Sequence, residues 1–72
     1  MDIRENLKNV IEEKGYMQSA IARKSKLSPY KLSMVLNKQR KLDANELFDV
    51  CDAIDMTPTE LREYKPTTPE RR

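Results

Sequence analysis

Residues 17–41 read MQSAIARKSKLSPYKLSMVLNKQRK, and this stretch contains two short helical patterns joined by a tight connection. The second pattern opens at Ser28, which suits an N-cap, and at Pro29, which is tolerated at the first helical position because no N–H is needed there. Leu27 and Leu32 flank this opening as a hydrophobic staple. We therefore predict a helix that starts at Pro29 and follows a tight turn.

The second helical pattern has two different faces. At about 100° per residue, Leu32, Val35 and Leu36 fall on one side and form an apolar face that points to the core. Tyr30 and Met34 fall close to the opposite pole and are predicted to point outward. Two large, partly apolar side chains on a surface of Lys, Arg, Ser and Gln indicate contact with a partner. The alternative is that both are simply exposed, as single apolar residues often are.

The first helical pattern runs from about Gln18 to Lys24. Ile21 and Ala22 face the interior, and the small side chain of Ala22 lets two helices approach at a steep angle. The two patterns together predict a helix–turn–helix unit.

The spacing of residues in and around this unit resembles the Cro-like and lambda-repressor-like helix-turn-helix family of phage and bacterial regulators. The resemblance extends over about residues 2 to 63. It rests on Gln18, Ile21, Ala22, Leu27, Ser28, Leu32, Ser33, Val35, Asn37 and Arg40. It implies an all-α fold of five helices, with the helix-turn-helix formed by helices 2 and 3.

Several positions depart from the family pattern. Lys26 and Lys38 stand where a glycine is usual, and Met17 replaces a capping Thr or Ser. The two lysines imply either a residue at positive φ, costing about 1 kcal/mol each, or a re-routed turn. Some relatives have a buried Arg–Glu pair at the positions of Ile11 and Leu36, and an apolar contact there avoids the desolvation cost of such a pair.

The composition of this 72-residue chain excludes several classes of function. It has no His, one Cys and one Gly, so metal clusters, Cys–His pairs and phosphate-binding glycine loops lack their residues. We therefore expect no enzymatic activity, no cofactor and no metal. Cys51 is interpreted as a small core hydrophobe. We find no long apolar run and no signal-peptide pattern, and we expect a reducing cytoplasm as the compartment.

The net charge of +2 hides a strong segregation of charge along the chain. Residues 17–41, the basic half, carry seven basic side chains and no acidic one. Residues 42–64, the acidic half, carry seven acidic side chains and one basic one. A polyanion would orient such a molecule before contact, with the basic half toward it. We interpret the acidic half as a solvated face.

Helix 1 is predicted to begin at Asp2, with Glu5 completing a capping box, and to run to Lys14 before Gly15 ends it. Its apolar stripe contains Ile3, Leu7, Val10 and Ile11.

Helices 4 and 5 each begin with a capping-box pattern. Asp43 and Glu46 mark the first, and Thr57, Pro58 and Glu60 mark the second. The buried side of helix 4 is predicted to contain Leu47, Val50, Cys51 and Ile54.

The domain is predicted to cover residues 1–64, and its last part has spare apolar side chains. Phe48 falls outside the buried stripe of helix 4, and Tyr64 falls at the end of helix 5. A short last helix with such spare apolar side chains could be a dimer contact; in the family that this chain resembles, self-association commonly involves this end. Residues 65–72, KPTTPERR, have nothing to bury and are predicted to be disordered. They fit either a free basic arm or the stub of a linker.

The resemblance also implies which residues contact DNA. The recognition helix enters the major groove, and the chain that leaves it passes along the sugar-phosphate backbone. We expect base contacts from Pro29, Tyr30, Lys31, Ser33 and Met34. We expect phosphate contacts from Gln18, Ser28, Asn37, Lys38, Arg40 and Lys41. Lys31, beside the outward pole, fits either group.

We therefore predict a sequence-specific regulator of transcription that binds double-stranded DNA. A phage or mobile-element repressor that occupies a pseudo-palindromic operator as a homodimer fits the pattern best. The alternative is a protein-interaction module, such as an antitoxin or an inhibitor, that binds a basic partner through the acidic surface of helices 4 and 5. Neutralising the basic half abolishes the first activity, and neutralising Asp49, Asp52 and Glu60 abolishes the second.

Overall fold

The computed structural model describes residues 2–66, and this part of the chain is all-α. Its five helices confirm the predicted fold class, and their bounds are α1 Ile3–Lys14, α2 Gln18–Lys24, α3 Pro29–Leu36, α4 Ala44–Ile54 and α5 Pro58–Arg62. Lys65 and Pro66 have no regular secondary structure. Most of the predicted disordered tail, residues 67–72, lies outside the described residues. In the described part, every helix is too short or too polar to cross a membrane.

The helix starts follow the capping residues of the sequence. The Ser28 side chain accepts a hydrogen bond from the N–H group three residues on. Asp43 with Glu46, and Thr57 with Glu60, form complete capping boxes in which side chain and backbone bond in both directions. These hydrogen bonds confirm the predicted caps at Ser28, Asp43 and Thr57. Such caps can be predicted from sequence because each one joins residues only three positions apart.

The start of α1 differs from the prediction. Asp2 is the N-cap, but its carboxylate accepts from the Arg4 N–H at 2.9 Å and also binds the Arg4 guanidinium at 2.8 Å. The Glu5 side chain binds the Lys38 ammonium at 3.0 Å. The predicted capping box of Asp2 and Glu5 was therefore wrong. Instead, the Asp2 carboxylate binds the neighbouring Arg4, and the Glu5 carboxylate binds Lys38, which is distant in the sequence.

Helices α1 to α4 all end in the same way, with one residue in the left-handed conformation. That residue is Gly15 after α1, Lys26 after α2, Lys38 after α3 and Asp55 at the end of α4, with φ between 59° and 70°. Backbone hydrogen bonds of the Schellman type close each turn. Of the two alternatives for the lysines, positive φ is therefore the one found. The conformation of Asp55 was not predicted.

The hydrophobic core lies between the longer helices α1, α3 and α4 and the shorter helices α2 and α5. Ile11 and Leu36, at the positions of the ion pair in some relatives, are both buried, as an apolar contact requires. Cys51 is also buried, which confirms its assignment to the core, and burial raises the pKa of its thiol. The buried apolar residues are Leu7, Val10, Ile11, Ile21, Ala22, Leu27, Leu32, Val35, Leu36, Val50, Cys51, Ile54 and Leu61.

Two polar side chains attach α5 to α1. The buried Asn6 amide donates to the carbonyls of Leu61 and Arg62, at 3.0 and 2.9 Å. The Tyr64 hydroxyl donates to the Glu13 carboxylate, and this hydrogen bond raises the pKa of Tyr64 to about 12. Asn6 was not predicted, although a polar residue within the apolar stripe of α1 is the kind of signal that marks a buried hydrogen-bonding group.

Candidate nucleic-acid interface

The connection between α2 and α3 is compact because its polar groups are satisfied within the turn. Ser25 is 1% exposed, and its hydroxyl donates to the Ile21 carbonyl at 2.7 Å. Ala22 is fully buried, as expected for a small residue at a helix–helix contact. Leu27 is buried just before the Ser28 cap. This arrangement fixes the direction in which α3 leaves the turn.

The outer surface of α3 presents one large aromatic side chain. Tyr30 is 73% exposed, and Pro29 and Lys31 beside it are also exposed. Ser33 and Met34 are half-buried. The prediction of an outward side chain is confirmed for Tyr30 but only partly for Met34. After α3 the chain bends back, and the Gln39 N–H donates to the Met34 carbonyl at 2.8 Å.

The amino end of α2 has a different character from the other helix starts. Its N-cap, Met17, makes no side-chain hydrogen bond to the helix and is 71% exposed. Gln18, the first residue of α2, is exposed as well. The first N–H groups of α2 therefore have no side-chain cap, which is the condition under which such groups bind an anion.

The segment after α3, residues 37–42, is called the exit loop. Asn37, Lys38 and Lys41 are exposed. Lys38 forms its ion pair with Glu5, and both side chains remain about half exposed, at 47% and 58%. The exit loop thus presents cationic side chains to solvent beside the carboxyl end of α3.

Arg40 in the exit loop is held by an acidic side chain of α4. Its guanidinium makes two hydrogen bonds to the Glu46 carboxylate, both of 2.9 Å. These bonds lower the pKa of Glu46 and raise that of Arg40. The backbone carbonyl of Arg40 accepts from the Arg4 guanidinium at 3.2 Å. Neither contact was predicted, because both join residues of different elements.

The eleven residues predicted to contact DNA lie at three places: the start of α2, the start and outer surface of α3, and the exit loop. Eight of them are exposed, and Ser33, Met34 and Arg40 are half-buried. Among the described residues, no group of His, Cys, Asp or Glu has the geometry to hold a metal ion. The surface offers an amide, hydroxyls, an aromatic ring and several cations, which together suit contact with a polyanion that carries base edges.

The sequence matches a family model described as the Cro/C1-type HTH DNA-binding domain over residues 6–67. This is a family of DNA-binding domains and not of enzymes. A comparison with curated proteins gives no match.

The solved structures that are similar to this chain include the following three. The clp gene regulator ClgR from C. glutamicum is 21% identical, with 85% of this chain and 79% of that chain covered and a TM-score of 0.79. The restriction-modification controller protein C.AhdI from Aeromonas hydrophila is 25% identical, with 83% and 91% covered and a TM-score of 0.77. The DNA-binding domain of the P22 C2 repressor is 14% identical, with 88% and 83% covered and a TM-score of 0.79.

Proposed function

This chain belongs to the Cro/C1-type helix-turn-helix DNA-binding domain family, and on that premise we propose that it is a sequence-specific repressor of a phage or other mobile element. It acts by occupying an operator and blocking transcription. The observation that carries the proposal is the outer surface of α3, where Tyr30 stands 73% exposed within a half of the chain that has no acidic residue. The C.AhdI controller, 25% identical, supports a regulatory role.

Base contacts come from the start and outer surface of α3. Tyr30 reaches furthest into the major groove, where its ring contacts base edges and thymine methyl groups. Pro29, Lys31 and Ser33 lie around it, and Met34, being half-buried, contributes only the outer part of its side chain. We therefore expect Tyr30 to contribute more to sequence preference than Met34.

Phosphate contacts come from residues on either side of α3. Gln18 and Ser28 lie at the amino ends of α2 and α3, and Asn37, Lys38 and Lys41 lie in the exit loop. The two lysines neutralise phosphates and release counterions, so they supply affinity that falls with salt without adding sequence preference. The neutral Gln18, Ser28 and Asn37 hydrogen-bond phosphate oxygens and fix the orientation of the domain on the duplex. Arg40 differs from these residues because its guanidinium binds Glu46.

Two copies of the chain bind one operator. A single domain of this size makes few base contacts, and specific affinity in the nanomolar range usually needs two half-sites about one helical turn apart. Phe48, 55% exposed on the surface of α4, offers apolar area for contact between copies, whereas Tyr64, the other residue expected to do so, packs against the core. The operator is accordingly a pseudo-palindrome.

Selection of bound sequences from random duplex DNA tests this function, followed by sedimentation of the protein with the selected duplex. We expect one enriched motif with two-fold symmetry and two chains per duplex. No enrichment over random DNA would overturn sequence-specific binding. A non-palindromic site that holds a single chain would leave the regulator assignment in place but overturn the symmetric complex.

A further inference from the structure

Two cations of the exit loop are paired with carboxylates, and the two pairs differ in strength. The Lys38 ammonium makes one contact with Glu5, and both side chains are about half exposed. The Arg40 guanidinium makes two parallel contacts with Glu46, and these side chains are only 29% and 17% exposed. Exposed single-contact pairs contribute little to stability, whereas bidentate Arg–carboxylate pairs are the stronger kind.

Glu46 is tied into the local structure by more than Arg40. It is the third residue of α4, and its carboxylate also accepts from the Asp43 N–H at 3.2 Å to complete the capping box. If Arg40 turned away toward a phosphate, Glu46 would lose its counter-charge close to the DNA. Lys38 leaves Glu5 at a smaller cost, because water solvates both groups already.

The backbone of Arg40 is held by a second helix, α1. Its carbonyl accepts a hydrogen bond from the Arg4 guanidinium, and Arg4 is itself paired with Asp2 at 2.8 Å. One residue of the exit loop is thereby fixed to α4 through its side chain and to the start of α1 through its backbone. We call this set of contacts, formed by Asp2, Arg4, Arg40 and Glu46, the loop clasp.

We propose that Arg40 and Glu46 are positioning residues for DNA binding, with the Arg40 charge kept inside the protein while Lys38 exchanges Glu5 for a phosphate. This inference rests on the proposed function and changes one expectation from the sequence, that Arg40 itself binds phosphate. The loop clasp holds the exit loop in the position from which Lys38 reaches the DNA backbone.

Two double variants of equal net charge test the proposal. Glu5→Gln with Lys38→Gln removes one ion pair, and Arg40→Gln with Glu46→Gln removes the other. The side chain introduced by Glu46→Gln can still accept from the Asp43 N–H, since Gln also serves in a capping box. Anisotropy titrations on the selected operator at several salt concentrations give the slope of log affinity against log salt, which counts the phosphates neutralised.

We expect the slope of the Glu5/Lys38 variant to be shallower by roughly 0.9, the value for one phosphate that is no longer neutralised. In the Arg40/Glu46 variant Lys38 still neutralises its phosphate, but the exit loop must first be ordered, at a cost that does not depend on salt, so the slope should match that of the parent while affinity for specific and random DNA falls by the same factor at every salt concentration. A slope that becomes shallower by roughly 0.9 in the Arg40/Glu46 variant would show that a phosphate contact is lost together with this pair and would overturn the proposal.

Arg40→Lys separates the charge of Arg40 from its geometry. Lysine keeps the positive charge but cannot make the bidentate contact with Glu46. We expect this variant to lose affinity as the Arg40/Glu46 variant does, because the loop clasp is broken in both. If Arg40→Lys binds like the parent, charge alone suffices and the positioning role is refuted.

Amide hydrogen exchange in the free protein tests the loop clasp without DNA. We expect the hydrogen-bonded amides of the exit loop, those of Lys38 and Gln39, to exchange faster in the Arg40/Glu46 variant than in the parent, and those of α2 to be unchanged. Unchanged exchange in the exit loop would overturn the clasp. Failure of the parent chain to bind the selected duplex would instead overturn the proposed function, and the exchange measurement would still decide the clasp.

Discussion

The basic half and the acidic half of the chain are stabilised in different ways. In the acidic half, α4 and α5 both begin with complete capping boxes. In the basic half, α3 has a single cap bond and α2 has none from a side chain. The basic half also places Lys26 and Lys38 at positive φ and has no acidic residue to offset its cations. The acidic half therefore follows the local sequence rules for stable helices, and the basic half departs from them.

This difference indicates where function constrains the sequence. Residues at a binding surface are the ones at which local sequence preferences are expected to fail, with compensation elsewhere in the fold. The acidic half and α1 supply that compensation through caps and the core. One residue of the acidic half also departs from the local rules. Asp55 is an acidic residue in the left-handed conformation at the carboxyl end of α4, where the helix dipole favours a cation.

The largest expected effect is a loss of DNA binding when basic side chains are neutralised, with neutralised acidic side chains as the control. The triple variant Lys31→Gln, Lys38→Gln and Lys41→Gln should weaken DNA binding roughly a hundred-fold near physiological salt, from about five-fold for each phosphate left without its cation. The control neutralises Asp49, Asp52 and Glu60 and should bind DNA at least as well as the parent. Anisotropy titrations measure both. If the basic variant binds like the parent, the protein-interaction alternative is favoured.

Each half has one strongly exposed aromatic residue, which allows a matched pair of truncations. Tyr30→Ala should cost about 1 to 3 kcal/mol on the selected operator and leave non-specific binding and the salt slope nearly unchanged, because the ring carries no charge. Phe48→Ala removes an aromatic ring from the acidic half; it weakens the proposed contact between copies but should keep the preference for the base sequence within each half-site. Competition between specific and scrambled duplexes distinguishes the two variants. Equal loss of preference in both would mean that the outer surface of α3 does not read the sequence.

Glycine substitutions test the backbone strain in both halves. Lys26→Gly and Asp55→Gly should each stabilise the fold by up to about 1 kcal/mol, because glycine adopts positive φ without the penalty of a side chain. Lys38→Gly should gain less, since it also removes the pair with Glu5. Lys24→Gly, within the last turn of α2, is the control and should cost roughly 1 kcal/mol. Urea unfolding measures the free energy of unfolding of all four variants. A loss of stability in the Lys26 and Asp55 variants would contradict the inference that positive φ strains the backbone there.

The smallest expected effect lies where α1 meets the exit loop. Hydrogen bonding to Arg4 lowers the pKa of Asp2 from 3.8 to about 2. A carboxyl group whose pKa is lowered by folding stabilises the protein above its unfolded pKa and loses that contribution as the pH falls through the folded value. Asp2→Asn keeps a capping side chain but loses the charge. The stability difference between parent and variant should therefore shrink as the pH falls from about 4 to about 2. A difference that does not vary with pH would contradict the role of the Asp2 charge.

The fold could be predicted because its decisive signals are local. Ser28 with Pro29, and Thr57 with Pro58, fix helix starts through contacts that span three residues, and the apolar stripes follow helical spacing. The positive φ of Lys26 and Lys38 was foreseen as one of two alternatives from the family pattern. These features depend on neighbours in sequence and are therefore visible without a structure.

The contacts between distant segments could not be predicted in the same way. Glu5 has the spacing for a capping box, but the ammonium of Lys38, 33 residues away, competes for its carboxylate. Arg40 has the position of a phosphate-binding residue, but Glu46 holds its guanidinium. Helical periodicity predicts the direction in which a side chain points from its own helix. It does not predict which charged group of another element will bind that side chain. The assignment of the DNA-contacting residues remains a prediction from sequence.

The attachment of α5 by Asn6 has a consequence for the order in which the molecule folds. A five-residue helix cannot persist alone in water, because the cost of nucleation exceeds the gain from so few hydrogen bonds. Its carbonyls at Leu61 and Arg62 are bound by a side chain of α1, so α5 becomes stable only after α1 has formed and Leu61 has reached the core. The docking of α5 therefore follows the formation of α1, and it depends in part on an amide group that lies 55 residues away from Leu61 in the chain.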